Sequence, residues 1–242
     1  MRYKILIVDL DDTLLDTREN TRTAFRRMLR AQGEQYSDDK FERYHVIDTT
    51  FWRDWQDGKI PLPSRFAKET GVKSQAFLNY VRSRRMMLYF DNKISDERAV
   101  ELMHIFTNAL TETVVPVDGA RDILHYLHRK YTMLIATNGP NSATQAKLQK
   151  IDVLDCVTEV LSADMFGYMK PHVEFFEGIE ARYNDYTKED YLIIGDSLKS
   201  DVGLGMNTGI DSCRFNRNGE QLADGYKPTY VIRQLSALKD FL

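Results

Sequence analysis

The chain opens on an apolar, β-branched run, Ile5-Leu6-Ile7-Val8, that stops at Asp9. Large apolar residues without polar alternation describe a strand covered on both faces, as in a parallel sheet. Similar runs recur at 132–137, 157–161, 191–195 and 211–215, with a weaker one near 229–232. From Pro116 onward the segments between these runs have helical length. Strands alternating with helices predict a parallel sheet with helices on both faces.

The stretch from the first strand to Thr113 reads differently. It holds no convincing strand and predicts four or five helices. Asp16 or Thr17 can cap a helix running to Gln32, with Gly33 past its end. Ser37 caps a second, in which Phe41, Tyr44, Ile47, Phe51 and Trp55 recur at three- and four-residue spacing up to Gly58. Ile60-Pro61-Leu62-Pro63-Ser64 is a stiff connector to a short helix before Gly71, and helices over about 74–90 and 95–113 follow. The domains expected are a core from 1–16 and 114–242 and an all-helical insert over 17–113.

Chemistry gathers where the apolar runs end, which is where open α/β sheets bind ligands. The first run ends in Asp9-Leu10-Asp11-Asp12-Thr13. Carboxylates that close repel unless a cation or a shared proton offsets them. The second ends in Thr137-Asn138-Gly139-Pro140, whose hydroxyl, amide and turn N–H groups suit an anion. Lys170-Pro171 precedes a helix predicted over 172–183, with Pro171 in its first turn. The run at 191–195 ends in Gly195-Asp196, with Asp201 five residues on. Asp12, Asp16 and Asp164 read as turn or capping residues.

Composition narrows the partners. The 242 residues, 43% of them hydrophobic, suffice for a large core, and a net charge of −3 argues against a nucleic acid polymer or a membrane surface as partner. The insert is mildly basic and the remainder acidic, which suits an anionic substrate and a cation. Cys156 and Cys213 alone imply no disulfide framework and point to a cytoplasmic protein. The opening apolar run is too short for a signal peptide, and no stretch is long enough to span a bilayer. The five histidines show no ligand spacing, and Arg82-Ser83-Arg84-Arg85 reads as a solvated helix face.

Together these four segments resemble the haloacid-dehalogenase-type hydrolase superfamily, whose members are mostly phosphatases. Its Asp-x-Asp-x-Thr motif corresponds to Asp9-Leu10-Asp11-Asp12-Thr13, its strand-end Ser or Thr to Thr137, its Lys to Lys170, and its Gly-Asp with a later Asp to Gly195-Asp196 and Asp201. The resemblance implies an α/β fold with a Rossmann-like parallel sheet, the Asp9 strand lying between those ending at Thr137 and Asp196. It also implies a helical cap domain with hinges near 16–18 and 113–118 that excludes water and selects the substrate. Asp9 would be the catalytic nucleophile and Asp11 the catalytic acid and base. Mg2+ would be bound by the Asp9 and Asp196 carboxylates and the Asp11 backbone carbonyl. Thr137, the Asn138 N–H and Lys170 would bind the phosphoryl oxygens, with Asp201 orienting Lys170 or metal-bound water.

Within the superfamily, Asp11 argues for phosphate esters over halides and leaves a sugar-phosphate phosphatase or phosphomutase as an alternative. A catalytically silent binding protein on this fold is the reading from another class; against it, every residue the chemistry needs is present. The segment Trp52-x-x-Trp55-x-x-Gly58 resembles bacterial pyrimidine nucleoside 5′-monophosphate phosphatases. That likeness implies a small phosphorylated metabolite, a nucleoside monophosphate, as partner. Trp52 would stack on the base and Gln56 or Asn138 contact a base or sugar edge, in a monomer or weak homodimer.

Overall fold

In the computed structural model, which describes residues 2–56, 59, 63 and 75–242, one parallel sheet organises the strands. The strands are β1 (Ile5–Val8), β2 (Thr132–Thr137), β3 (Glu159–Ser162), β4 (Tyr191–Gly195), β5 (Asp211–Phe215) and β6 (Tyr230–Ile232). They pair in the order β3-β2-β1-β4-β5-β6. β1 therefore lies between β2 and β4, with Leu6 opposite both Met133 and Leu192. The reason lies in the sequence runs. Leu6, Val8, Met133, Ile135, Leu192 and Ile194 fill a core on one face of the sheet. Their alternates Ile5, Ile7, Leu134 and Ile193 point to the other face and are buried as well. A sheet apolar on both faces requires cover on both.

The described residues divide into two units, Met1–Thr17 with Val114–Leu242, and Arg18–Thr113. In the first, helices α5 (Ala120–Leu127), α6 (Asn141–Lys150), α7 (Ala163–Phe166), α8 (Val173–Glu180) and α9 (Gly203–Thr208) connect the strands. Two expectations shift here. The strand predicted at 157–161 begins at Glu159, because a 3-10 turn over Leu154–Cys156 comes first. The helix predicted from His172 begins at Val173; His172 is its extended N-cap, so Pro171 precedes the cap instead of sitting in the first turn.

The second unit takes in most of α1 (Thr17–Ala31), then α2 (Asp38–Gln56), α3 (Gln75–Tyr89) and α4 (Asp96–Glu112). Phe25 stacks on Tyr44 at 4.9 Å and meets Tyr89 edge-on at 5.1 Å, and Met28, Phe41, Met86, Leu102 and Phe106 complete this core. Ser95 caps α4 by accepting from the Arg98 N–H, and Ser37 accepts from the Lys40 N–H at the start of α2. The cap on α1 includes a residue further back than expected. Asp12, at φ 61°, accepts from the Thr17 amide and hydroxyl, while Asp16 pairs with Arg217 at 2.8 Å. The solvated reading of Arg82–Arg85 is corrected as well: Arg85 is buried and ion-paired with Asp48 on α2. α3 packs against both α2 and α4, so more than one of its faces is covered. Asp57-Gly58, the connector at Pro61-Leu62, the short helix before Gly71 and the side chains of Trp52, Trp55 and Gln56 lie outside the described residues. Among the described residues no helix is long and apolar enough to cross a membrane.

Candidate active site

Asp9 is the last residue held in the β1 ladder. Its N–H donates to the Ile194 carbonyl at 2.8 Å, which fixes it beside the end of β4. The chain then curls tightly, and the Leu14 and Leu15 N–H groups both donate to the Leu10 carbonyl. Within this curl Asp11 forms a bridge with Leu15. Asp9, Asp11, Thr137, Lys170, Asp196 and Asp201 line a cavity of about 250 Å3 at the carboxyl ends of β1, β2 and β4.

Lys170 ties the cavity floor together. Its Nζ donates to Asp9 Oδ1 at 2.7 Å, to Asp201 Oδ1 at 2.6 Å and to the Ala136 carbonyl at 2.7 Å. Only 4% of the residue is exposed, so all three ammonium protons are spent inside the protein. Asn138 holds the Lys170 backbone from both sides: Oδ1 accepts from the Lys170 N–H at 2.8 Å and Nδ2 donates to its carbonyl at 3.1 Å. The Asn138 amide is thereby tied to the Lys170 backbone with one hydrogen and one lone pair still uncommitted. Thr137 Oγ1 accepts from the Gly139 N–H at 3.0 Å, shaping the turn after β2.

Asp201 lies below Gly195. A Cβ on Gly195 would sit 2.2 Å from the Asp201 Cγ, so only glycine admits the buried carboxylate. Asp201 Oδ2 accepts from the Ser197 N–H at 3.0 Å, which leaves both its oxygens engaged. Asp196 is held by Thr13, whose Oγ1 accepts from the Asp196 N–H at 3.0 Å and donates to Oδ1 at 3.4 Å.

The electrostatics are those of too many carboxylates for one ammonium. Asp9, Asp196 and Asp201 each offer an oxygen within 4.8 Å of the others. Burial pushes the Asp196 carboxyl up to about 7, with Asp201 and Asp12 adding to it. Burial also pushes Asp9 well up; Lys170 opposes this, while Asp201 and Asp196 add to it. For Lys170, burial alone would lower the pKa, but Asp201 and Asp9 outweigh it and the ammonium form is reinforced. Such a cluster is relieved by a divalent cation bound through oxygen.

Two contributors were not expected from the sequence. Thr13 is a turn residue by its place in the sequence, yet its hydroxyl positions Asp196. Lys147, on α6, pairs with Asp11 at 2.8 Å, and no sequence signal sets it apart from other helix-surface lysines. Asp164 accepts from the Asn141 N–H at 3.3 Å at the start of α6, the capping role expected of it. Trp52 and Gln56 stand on α2 with side chains outside the described residues, so the geometry of the cavity includes neither.

The fold has counterparts among known proteins. The crystal structure of the HAD-hydrolase YfnB from Bacillus subtilis bound to magnesium superposes with a TM-score of 0.85 at 26% identity, covering 100% of this chain and 99% of that one. The pyrimidine 5′-nucleotidase PynA of Streptococcus pneumoniae is 26% identical over 100% of this chain and 96% of its own length. The pyrimidine 5′-nucleotidase YjjG of Escherichia coli is 22% identical over 100% and 99%. Residues 3–205 match the family described as haloacid dehalogenase-like hydrolase. With the match running from before β1 through Asp201, the chain belongs to the haloacid dehalogenase-like hydrolases.

Proposed function

We propose that the chain is a Mg2+-dependent phosphomonoesterase of the cytoplasm, a monomer or weak homodimer, acting on pyrimidine nucleoside 5′-monophosphates through an aspartyl-phosphate. The observation that carries the reading is Lys170, buried and bridging Asp9 and Asp201 at the floor of an anion-sized cavity.

The all-oxygen donor set suits Mg2+. Because Asp201 is engaged by Lys170 and Ser197, the carboxylates left for the ion are Asp9 and Asp196, joined by the Asp11 carbonyl. When bound, the ion supplies positive charge against the phosphoryl oxygens and lets an anionic nucleophile approach them. The protein's residues do the rest. The Thr137–Asn138 turn holds the phosphoryl oxygens, while the Lys170 ammonium, fixed on Asp9 and Asp201, holds the nucleophile and adds positive charge beside them. An Asp9 oxygen attacks phosphorus as the bond to the ester oxygen breaks, and Asp11 gives that oxygen its proton, releasing the alcohol. Asp11, now a carboxylate, takes a proton from water, which splits the acyl phosphate into inorganic phosphate and free Asp9. Lys147 positions Asp11 for both transfers.

The substrate class is supported by the two nucleotidase relatives and by the Trp52-to-Gly58 segment, with Trp52 stacking on the base and Gln56 contacting its edge. A panel of phosphorylated metabolites with Mg2+ tests it. UMP, dUMP and dTMP are expected to be hydrolysed roughly tenfold faster than sugar phosphates, since one stack is worth about 1–3 kcal/mol, and faster than purine nucleotides, since the proposed pocket admits a single ring. Trp52→Ala is expected to raise KM for nucleotides and spare a small aryl phosphate. Preferred turnover of a sugar phosphate overturns the nucleotide assignment, and turnover of no phosphomonoester overturns the phosphatase.

A further inference from the structure

A second cluster of ligand-type side chains lies at the other end of the sheet. His125 stands in the last turn of α5 and His128 is its C-cap, shortly before β2 begins. Cys156 closes the 3-10 turn over Leu154–Cys156, shortly before β3 begins. β2 and β3 are neighbouring parallel strands, so both segments lie at the amino ends of the sheet, whereas Asp9, Thr137 and Asp196 lie at the carboxyl ends. The expectation that no histidines share ligand spacing fails here. His125 and His128 are three apart on one helical face, and the cysteine that completes the set comes from a distant segment.

The atoms are close. One ligand atom from each of His125, His128 and Cys156 lies within 4.8 Å of the other two. Cys156 Sγ is 3.1 Å from His125 Nδ1, and the two imidazole rings are 6.0 Å apart and nearly perpendicular. His128 Nδ1 is 3.1 Å from the Leu124 carbonyl, which only accepts. That nitrogen therefore carries a proton, and in the neutral ring the lone pair is on Nε2. A ligating histidine is commonly oriented in this way, by a backbone acceptor on its other nitrogen. Cys156 is buried, His128 is partly covered and His125 is exposed, so the cluster opens to solvent on one side.

We propose that His125, His128 and Cys156 form a binding site for a borderline-soft divalent transition-metal ion, Zn2+ foremost. Two nitrogens and a sulfur match Zn2+ and are a poor set for Mg2+, which takes oxygen. Tetrahedral Zn2+ with bonds of about 2.0–2.3 Å needs donors roughly 3.4–3.6 Å apart. The Cys156 Sγ–His125 Nδ1 pair, at 3.1 Å, opens slightly and the other pairs, all within 4.8 Å, adjust by side-chain rotation. On binding, the Cys156 S–H bond breaks and its proton goes to solvent; the thiolate and two imidazole nitrogens donate electron pairs, and water fills the fourth position. Nothing is oxidised or reduced. The ion joins the end of α5 to the turn before β3, and the site does not depend on the phosphatase reading.

The test uses the full-length protein, freed of metal and held in excess Mg2+ so that the carboxylate site is occupied. Co2+ is the optical probe. One equivalent is expected to give a thiolate-to-cobalt charge-transfer band that Zn2+ abolishes and further Mg2+ does not. Cys156→Ser removes the band, His125→Asn and His128→Asn each weaken binding roughly tenfold or more, and Cys213→Ser changes nothing. Zn2+ raises the melting temperature of the wild type and not of His125→Asn, whose exposed position leaves folding intact. Absence of the band in the wild type, its survival in Cys156→Ser, or unchanged affinity in both histidine variants overturns the site. Cobalt binding that disappears in Asp196→Asn instead reports the carboxylate cluster and overturns it too.

Discussion

Lys170 spends each of its three protons on a different element, the carboxylate of Asp9, the carboxylate of Asp201 and the carbonyl of Ala136. A lysine so used cannot follow its substrate; it sets the position of the nucleophile before anything binds. Asp9→Asn is expected to keep the fold and lose at least about 10^3-fold in turnover, roughly 4 kcal/mol of transition-state stabilisation. Single-turnover rates together with circular dichroism check both halves. Asp11→Asn should slow alkyl phosphates far more than aryl phosphates, because a good leaving group needs little protonation; kcat across a leaving-group series measures the difference. At this scale the sequence revealed the residues that end strands and concealed those that act from helix faces. Asp9, Thr137, Lys170 and Asp196 interrupt or follow apolar runs and stand out. Lys147 sits on a polar helix, and Cys156 is 28 residues from His128, so only folding brings their partners within reach.

The elements were legible to the extent that burial wrote a pattern into them. β1, β2 and β4 are apolar on both faces because both faces are covered, and their bounds read directly from the runs. β3 begins later than its run suggests because Val157 belongs to the preceding turn, where apolar character serves packing rather than pairing. Arg85 misled because one polar stretch on α3 faces a neighbouring helix and its Asp48. The turn after β4 carries the sharpest local demand in the fold. Gly195→Ala would drive a methyl into the Asp201 carboxylate, and overpacking of this kind costs about 1–3 kcal/mol. Urea midpoints should fall accordingly, and kcat should fall with them as Asp201 is pushed off Lys170. Where Asp12 caps α1, Asp12→Ala is expected to cost about 0.5–2 kcal/mol, read from the same midpoints.

For the whole molecule, the carboxylate cluster couples stability to pH and to metal. Asp196 is pushed up to about 7 by burial, against about 3.9 in an unfolded chain. Between those values the folded metal-free protein holds a proton that the unfolded chain releases. Its stability contribution is therefore full below about pH 4 and is lost as pH rises through about 7. Melting temperatures without metal should fall across that window, Mg2+ should restore them most at its upper end, and Asp196→Asn should flatten the trend. A different consequence follows from β1 lying between β2 and β4, for the ribosome makes this strand first and its partners much later. β4 ends at Gly195, so at about 5–20 residues per second roughly 10–40 s separate the synthesis of β1 from that of its second neighbour. Until β4 appears, β1 has no partner on that side, and 18–113, with a core of its own, has been made before either neighbouring strand. On stalled ribosomes the helical unit should resist protease before the sheet does, and β1 should be the strand a chaperone shields longest.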